Sequence, residues 1–243
     1  MLKDSTMWYA SWFDTPYYHI LYKDRDHTEA KNFMDNLTNY LSLEKGEKIL
    51  DLACGKGRHS IYLNKLGYDV TGVDLSKNSI EYASQYENDT LKFRVHDMCK
   101  PYSEQFSAVF NLFTSFGYFD KEEDNLNTIK SISTNLTEKG FGVIDFMNVD
   151  YIIENLVPEE KKIVNDITFN IKRYYEEGYI FKEIRFIHNN EEFFYTERVK
   201  SITLEKFKEY FKKANIDLLD VFGNYQLQKF NKNTSPRLIL IFK

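Results

Sequence analysis

Strand-like and helix-like segments alternate from about residue 27 to residue 150, and this alternation restricts the fold more than any other feature of the sequence. A short apolar run, Lys48 to Leu52, precedes a helix-like stretch from Arg58 to Leu66. Further strands are predicted at 69–73, 91–95, 107–113 and 140–147, with helical periodicity at 77–86 and 121–136. Parallel strands need long crossover connections, which are usually helices that cover the sheet. We therefore expect five parallel strands between two layers of helices.

The pattern changes after residue 150. Three β-rich segments, 163–175, 179–188 and 192–202, are separated by Glu177-Gly178 and by Asn189-Asn190, which are typical of hairpin turns. The sequence therefore predicts a three-stranded antiparallel meander. Thr203 can cap a helix that runs through Ala214. Two last strands, 217–222 and 237–242, are expected to be antiparallel to one another because no helix separates them.

Composition narrows the class of function. The chain has 32 Lys and Arg against 37 Asp and Glu, a net charge of −5, so we expect no nucleic-acid partner. It has no run of 18 apolar residues and no apolar signal core at its start, so we expect no membrane span. Cys54 and Cys99 have neither metal-ligand spacing nor a disulfide framework, which predicts no metal and a cytoplasmic location.

The first chemical motif runs from Ile49 to Arg58. A buried strand ends in an acid, Asp51, and a turn pinched by Gly55 and Gly57 opens a helix. Glycines accept a positive φ and let a ligand approach the backbone closely. Because ligands of parallel sheets lie at the carboxyl ends of the strands, this turn predicts a binding site.

Acidic residues also end the next two strands. Asp74 follows the second strand, where a carboxylate can accept hydrogen bonds from both hydroxyls of a ribose. Asp97 follows the third strand, where an acceptor could meet an adenine amino group. Helix capping is the alternative role for Asp74, although Ser76 is the better cap. An exposed loop position is the alternative for Asp97.

Three acids on three successive strands resemble the class I S-adenosylmethionine-dependent methyltransferases, over nearly the whole chain. By that resemblance Asp51 lies near the methionine end of the cofactor, Asp74 binds the ribose, and Asp97 with the Met98 backbone reads the adenine. Ala53 stands where this family often has Gly. The cofactor contacts that the resemblance implies in the core are Asp51, Ala53, Cys54, Gly55, Gly57, Asp74, Leu75, Asp97, Met98, Asn111 and Leu112.

The resemblance implies an α/β fold built on a Rossmann-like seven-stranded sheet. Five parallel strands are followed by a terminal antiparallel pair, with helices on both faces and a small antiparallel β insertion. The expected parts are an aromatic N-terminal lid segment at 1–26, a core at 27–150 and 203–243, and a β lid at 151–202.

The expected function is methyl transfer from S-adenosylmethionine to a small molecule by in-line displacement. A dinucleotide-binding fold is the rival interpretation of the glycine turn, but Ser60 stands where its third Gly belongs. Two alternatives stay open: an RNA- or protein-modifying methyltransferase, and a protein that binds the cofactor or its product without turnover.

The aromatic N-terminus has two interpretations. Its rings either close over the cofactor as a lid or simply cover an edge of the sheet. As a lid, Tyr18, His19 and Arg25 could meet the cofactor carboxylate or the substrate. An acceptor that must lose a proton could be assisted by His19 or Tyr118, which are the catalytic candidates.

Overall fold

A computed structural model describes residues 12–23 and 27–243. The described helices are α1 (Pro16–Leu21), α2 (His27–Tyr40), α3 (Arg58–Lys65), α4 (Lys77–Ser84), α5 (Glu122–Thr134), α6 (Val149–Glu154) and α7 (Leu204–Ala214). The strands are β1 (Lys48–Leu52), β2 (Asp69–Asp74), β3 (Leu91–Val95), β4 (Phe106–Asn111), β5 (Leu136–Met147), β6 (Glu159–Val164), β7 (Ile167–Glu176), β8 (Tyr179–His188), β9 (Glu191–Lys200), β10 (Leu218–Phe222) and β11 (Arg237–Phe242).

The larger sheet has seven strands in the order β10-β11-β5-β4-β1-β2-β3. Strands β1 to β5 are parallel, whereas β11 is antiparallel to both β5 and β10. The predicted fold class is therefore confirmed. Because β1, β2, β3 and β4 run in one direction, their carboxyl ends meet at one edge of the sheet, which places Asp51 and Asp74 beside each other.

Helices cover both faces of this sheet because successive strand residues point to opposite sides. On one face Leu50 and Phe146 pack with Phe207 of α7 in an apolar cluster. On the other face Ile49 packs with residues of α2, α3 and α4, among them Phe33. The strands are buried on both sides, as a parallel sheet requires.

The second sheet has four antiparallel strands, β6 to β9, so the expectation of three was wrong. The turns at Glu177-Gly178 and Asn189-Asn190 are where the sequence predicted them, with positive φ at all four residues. Strand β6 was missed because its sequence, EEKKIV, is mostly charged and exposed. Its hairpin turn is Asn165-Asp166, two non-glycine residues with φ of +47° and +63°.

The described part of the N-terminal segment packs on the second sheet. Trp12 and Leu21 are each only 1% exposed and share an apolar cluster with Phe169 and Phe186. Helix α1 starts at a proline, and the Thr15 side chain caps it. The segment therefore supplies the layer that buries the inner face of this sheet.

Candidate functional site

A cavity of about 1040 Å³ opens at the carboxyl ends of β1 to β4. It collects most of the predicted site residues: Tyr18, His19, Asp51, Ala53, Cys54, Gly55, Asp74, Leu75, Asp97, Met98, Leu112 and Tyr118. Gly57 and Asn111 are not among the residues that line it. Arg25 lies outside the described residues.

The two glycines of the turn have different roles. Gly55 has a φ of +56°, and a Cβ built on it meets nothing within 4 Å, because it faces the cavity. Gly57 has a φ of +78°, and a Cβ there would lie 2.5 Å from the ring of Phe93. Gly55 therefore keeps the cavity open, whereas Gly57 lets the turn approach the sheet. Ala53 also has a positive φ, +60°.

Asp74 joins the end of β2 to the glycine turn. Its Oδ2 accepts the backbone N–H of Gly55 at 2.8 Å, and its Oδ1 accepts that of Ser76 at 2.8 Å. Each carboxylate oxygen can accept a second hydrogen bond, so a pair of ligand hydroxyls could still bind. Burial raises the pKa of this carboxyl above its ordinary value, and nearby Asp14 acts in the same direction. Ser76 also caps α4 and donates its hydroxyl to Asp14.

Asp51 is the most buried acid that lines the cavity, at 2% exposure. The Ser60 hydroxyl donates to its Oδ2 at 2.6 Å. Burial raises the pKa of Asp51 to about 7, although the Ser60 hydrogen bond opposes that shift. The carboxyl is therefore poised to change its charge near neutral pH when a ligand carrying positive charge approaches it.

Asn111, at the end of β4, supports the part of the cavity wall that the loop after β3 forms. The buried Asn111 amide donates to Leu52 O at 3.2 Å and contacts Met98 Sδ at 3.6 Å. Asp97 Oδ1 accepts the backbone N–H of Cys99 at 3.0 Å, which shapes the loop after β3. Asn111 thus lies behind Met98 and orients it from outside the cavity.

One half-buried acid on the second sheet also lines the cavity, and sequence reasoning missed it. Glu197, on β9, accepts from the Trp12 indole at 2.8 Å and from the Tyr22 hydroxyl at 2.7 Å. Lys182 Nζ lies 3.9 Å from the same carboxylate. The rings of Phe13 and Tyr18, 4.9 Å apart, form the adjacent wall. No local signal marks Glu197, because its partners are far away in the sequence.

A second missed feature is an aromatic stack between the loop after β4 and the start of α3. The ring of Phe113 stacks on His59, with centroids 4.6 Å apart and planes 8° apart. The Arg58 guanidinium lies 5.1 Å from the same ring and donates to His59 Nε2 at 2.9 Å. All three residues line the cavity. The sequence predicted Asn111, Leu112 and Tyr118 around this loop, but not Phe113, Arg58 or His59 as members of the site.

These residues fit S-adenosylmethionine. The open space in front of Gly55 leaves the backbone accessible, and the two Asp74 oxygens retain capacity for ribose hydroxyls. Asp51, Asp74 and Asp97 lie along a single cavity, as the three parts of that cofactor require. Within residues 12–23 and 27–243 no group of three or more His, Cys, Asp or Glu side chains could hold a metal ion. In the same part of the chain no helix has the length and apolar character to cross a membrane.

A family model described as a methyltransferase domain matches residues 43–215. A putative methyltransferase of Bacillus subtilis, YqeM, is 37% identical over 106 residues, which cover 42% of this chain and 42% of that protein. The glycine/sarcosine N-methyltransferase of Aphanothece halophytica is 30% identical over 138 residues, covering 54% of this chain and 50% of the relative. The matched segments thus span half or less of these two relatives.

Solved structures share the fold over almost their full length. An S-adenosylmethionine-dependent methyltransferase from Clostridium acetobutylicum superposes with a TM-score of 0.78 at 19% identity, covering 93% of this chain and 95% of that one. CalS10, an amino pentose methyltransferase from Micromonospora echinaspora, gives a TM-score of 0.73 at 17% identity, with 94% and 96% covered.

Proposed function

The chain belongs to the methyltransferase domain family, and we propose that it transfers the methyl group of S-adenosylmethionine to the nitrogen of a small amine. The observation that carries the proposal is the placement of Asp51, Asp74 and Asp97 along one cavity beside Gly55. When bound, S-adenosylmethionine supplies a methyl group on a positively charged sulfur.

In this proposal the three strand ends and the glycine turn hold the cofactor. Asp74 orients the ribose through the lone pairs that Gly55 and Ser76 leave free. Asp97 and Met98 read the adenine, and Asn111 acts on the cofactor indirectly, by orienting Met98. The other cofactor contacts proposed are Asp51, Ala53, Cys54, Gly55, Leu75, Leu112, Tyr18 and, outside the described residues, Arg25. Gly57 supports the turn from behind.

Charge favours nitrogen as the acceptor. A neutral amine gains positive charge as it takes the methyl group, whereas an oxyanion loses negative charge. The half-buried carboxylate of Glu197, which already holds Lys182 at 3.9 Å, and the aromatic rings of Phe13, Tyr18 and Tyr118 stabilise positive charge better than negative charge. One similar protein, the glycine/sarcosine N-methyltransferase, is named for a nitrogen acceptor, which supports the same choice.

The second sheet and the N-terminal segment are proposed to enclose the acceptor. Residues 151–202 bring Glu197 to the cavity, and the N-terminal segment 1–26 brings Tyr18 and His19. Enclosure excludes water and places the acceptor nitrogen in line with the methyl group. The proposed roles are a proton acceptor for His19 and a hydrogen-bonding contact to the acceptor for Tyr118.

The test is a screen with isotopically labelled methyl donor. Small amines, among them glycine and amino sugars, are each paired with the analogue in which a hydroxyl replaces the amino group. Formation of labelled product and of S-adenosylhomocysteine with amines alone is the expected result. Methylation of the hydroxyl analogues, or of RNA or protein instead, would overturn the proposed acceptor class. Calorimetry with S-adenosylhomocysteine on the same preparation tests cofactor binding separately.

A further inference from the structure

An ion pair between a fully buried carboxylate and a guanidinium that is 18% exposed lies directly behind the cavity wall. Asp145 on β5 is fully buried, and Arg237 at the start of β11 donates its Nε to Asp145 Oδ1 at 2.8 Å. Arg237 Nη2 lies 2.7 Å from the same oxygen. Removing two charges from water is costly, and a buried pair is often no more stabilising than apolar residues of similar volume. Its presence therefore calls for a role other than stability.

The pair binds Phe113 and Thr114, two residues of the loop after β4. Asp145 Oδ2 accepts the backbone N–H of Phe113 at 2.8 Å, and the Asp145 carbonyl accepts that of Thr114 at 2.9 Å. Arg237 Nη2 donates to Thr114 Oγ1 at 2.9 Å. The carboxylate, the carbonyl and the guanidinium thus bind three polar groups of two adjacent loop residues.

Those two loop residues have a strained backbone. Phe113 has a φ of +56° and Thr114 a φ of +62°, in the left-handed region. This region is unfavourable for a bulky residue and more so for the β-branched Thr114. Such conformations persist only where the surroundings impose them, and they concentrate at functional sites. Asp145 and Arg237 supply the hydrogen bonds that impose this one.

The strain has a visible consequence in the cavity. The left-handed turn directs the Phe113 ring onto His59, with the planes 8° apart, while Tyr225 packs 5.2 Å from the same ring. Tyr225 also donates its hydroxyl to Asp145 Oδ2 at 3.3 Å. Asp145 therefore acts on Phe113 in two ways. It accepts the backbone N–H directly, and it binds Tyr225, which packs against the ring.

We propose that Asp145 and Arg237 are positioning residues that hold Phe113 and Thr114 in the left-handed conformation and so shape the cavity wall against which the methyl acceptor lies. The role of this wall in binding the methyl acceptor rests on the proposed function. The positioning itself is a property of the described residues and can be tested without an acceptor.

The first experiment substitutes Asp145→Asn and follows the imidazole protons of His59 by NMR. The ring current of the stacked Phe113 ring shifts the imidazole protons upfield, so their chemical shifts report the position of Phe113. The amide nitrogen of the variant is a donor, so it must oppose either the Phe113 N–H or the Arg237 guanidinium. We expect the upfield shift of His59 to be lost in the folded variant. The control is Arg173→Gln, which breaks the ion pair with Glu160 on the second sheet and leaves His59 unchanged.

A second pair of variants decides the matter if Asp145→Asn does not fold. Thr114→Ser keeps the acceptor for Arg237, and Thr114→Ala removes it. The serine variant is expected to retain the His59 shift, and the alanine variant to lose part of it. An unchanged His59 shift in Asp145→Asn, or equal shifts in the two Thr114 variants, overturns the positioning role.

Calorimetry with S-adenosylhomocysteine separates this inference from the proposed function. The hydrogen bond between Asp74 and Gly55 is unchanged in these variants, so we expect their affinity for S-adenosylhomocysteine to be within about twofold of that of the unmodified protein. If the unmodified protein fails to bind S-adenosylhomocysteine, the proposed function fails, while the His59 signals still decide whether the pair positions Phe113.

Discussion

The carboxylate of Asp74 accepts the backbone N–H of Gly55 at 2.8 Å, although the two residues are 19 positions apart. This bond links the end of β2 to the glycine turn that follows β1. The residue proposed to bind the ribose therefore also fixes the turn beside it. Changes at either residue are expected to affect the same ligand.

Replacing Asp74 is expected to weaken cofactor binding. Asp74→Ala removes the charge-assisted hydrogen bonds to the ribose, each worth about 1.5–3 kcal/mol, with partial compensation by water. We expect the affinity for S-adenosylmethionine, measured by calorimetry, to fall by about tenfold or more. Asp74→Asn keeps one acceptor oxygen, so its affinity should lie between those of the unmodified protein and Asp74→Ala. Unchanged affinity in a folded Asp74→Ala protein would show that the ribose binds elsewhere.

Substitutions at the two glycines of the turn are expected to have different effects, one on binding and one on stability. Gly55→Val puts a branched side chain into the cavity at a positive φ, so binding of S-adenosylhomocysteine should disappear while the far-ultraviolet circular dichroism stays native. Gly57→Ala drives a Cβ into the Phe93 ring and should lower the free energy of unfolding by about 1–3 kcal/mol. Normal binding by Gly55→Val would contradict the proposed place of the cofactor.

Asp51 is expected to make stability depend on pH. Its pKa is about 7 in the folded protein against 3.8 ordinarily, because burial disfavours the charged form. The folded state thus binds more protons than the unfolded state between these values, so stability is full below about pH 4 and falls as the pH rises to 7. The loss attributable to Asp51 is at most about 4 kcal/mol.

Urea unfolding at several pH values measures this effect, with Asp51→Asn as the comparison. The asparagine can still accept from Ser60 but has no charge to desolvate. The variant should therefore lose less stability between pH 4 and 7 than the unmodified protein. Parallel curves for the two proteins would mean that Asp51 does not have a raised pKa.

The N-terminal segment is expected to respond to ligand. Residues 13–22 pack on the second sheet and also present Phe13, Tyr18 and His19 to the cavity. If they enclose the site, their amide hydrogen exchange should slow when S-adenosylhomocysteine is added, more than exchange around Val143 in β5. Equal protection with and without ligand would make Tyr18 and His19 structural residues and remove them from the proposed site.

Trp12 provides a related test of stability. Its side chain is 1% exposed and its indole donates to Glu197. Trp12→Ala should lower the free energy of unfolding by about 3–5 kcal/mol, because it leaves a cavity and removes one of the hydrogen bonds to Glu197. Trp12→Phe restores most of the volume and should recover part of this loss. A melting temperature unchanged in Trp12→Ala would contradict the packing of this segment on the second sheet.

Local features of the sequence were enough to predict the larger sheet and the place of Asp51, Asp74 and Asp97. Hydrophobic periods of two and of three to four residues are set by neighbours in the chain, so they are visible in the sequence. Ligand sites in parallel sheets follow from strand direction, which the alternation of strands and helices implies. Strand β6 could not be predicted, because its exposed, charged sequence has no apolar alternation.

Tertiary structure alone decided which further residues reach the cavity. Glu197 meets Trp12 across 185 positions, and Asp145 meets Phe113 across 32. It also separated Gly55, which faces open space, from Gly57, which faces Phe93. Such contacts depend on how the second sheet, the N-terminal segment and the loop after β4 pack together. Their geometry is set by burial and hydrogen bonding between distant segments, for which the order of residues along one segment contains no signal.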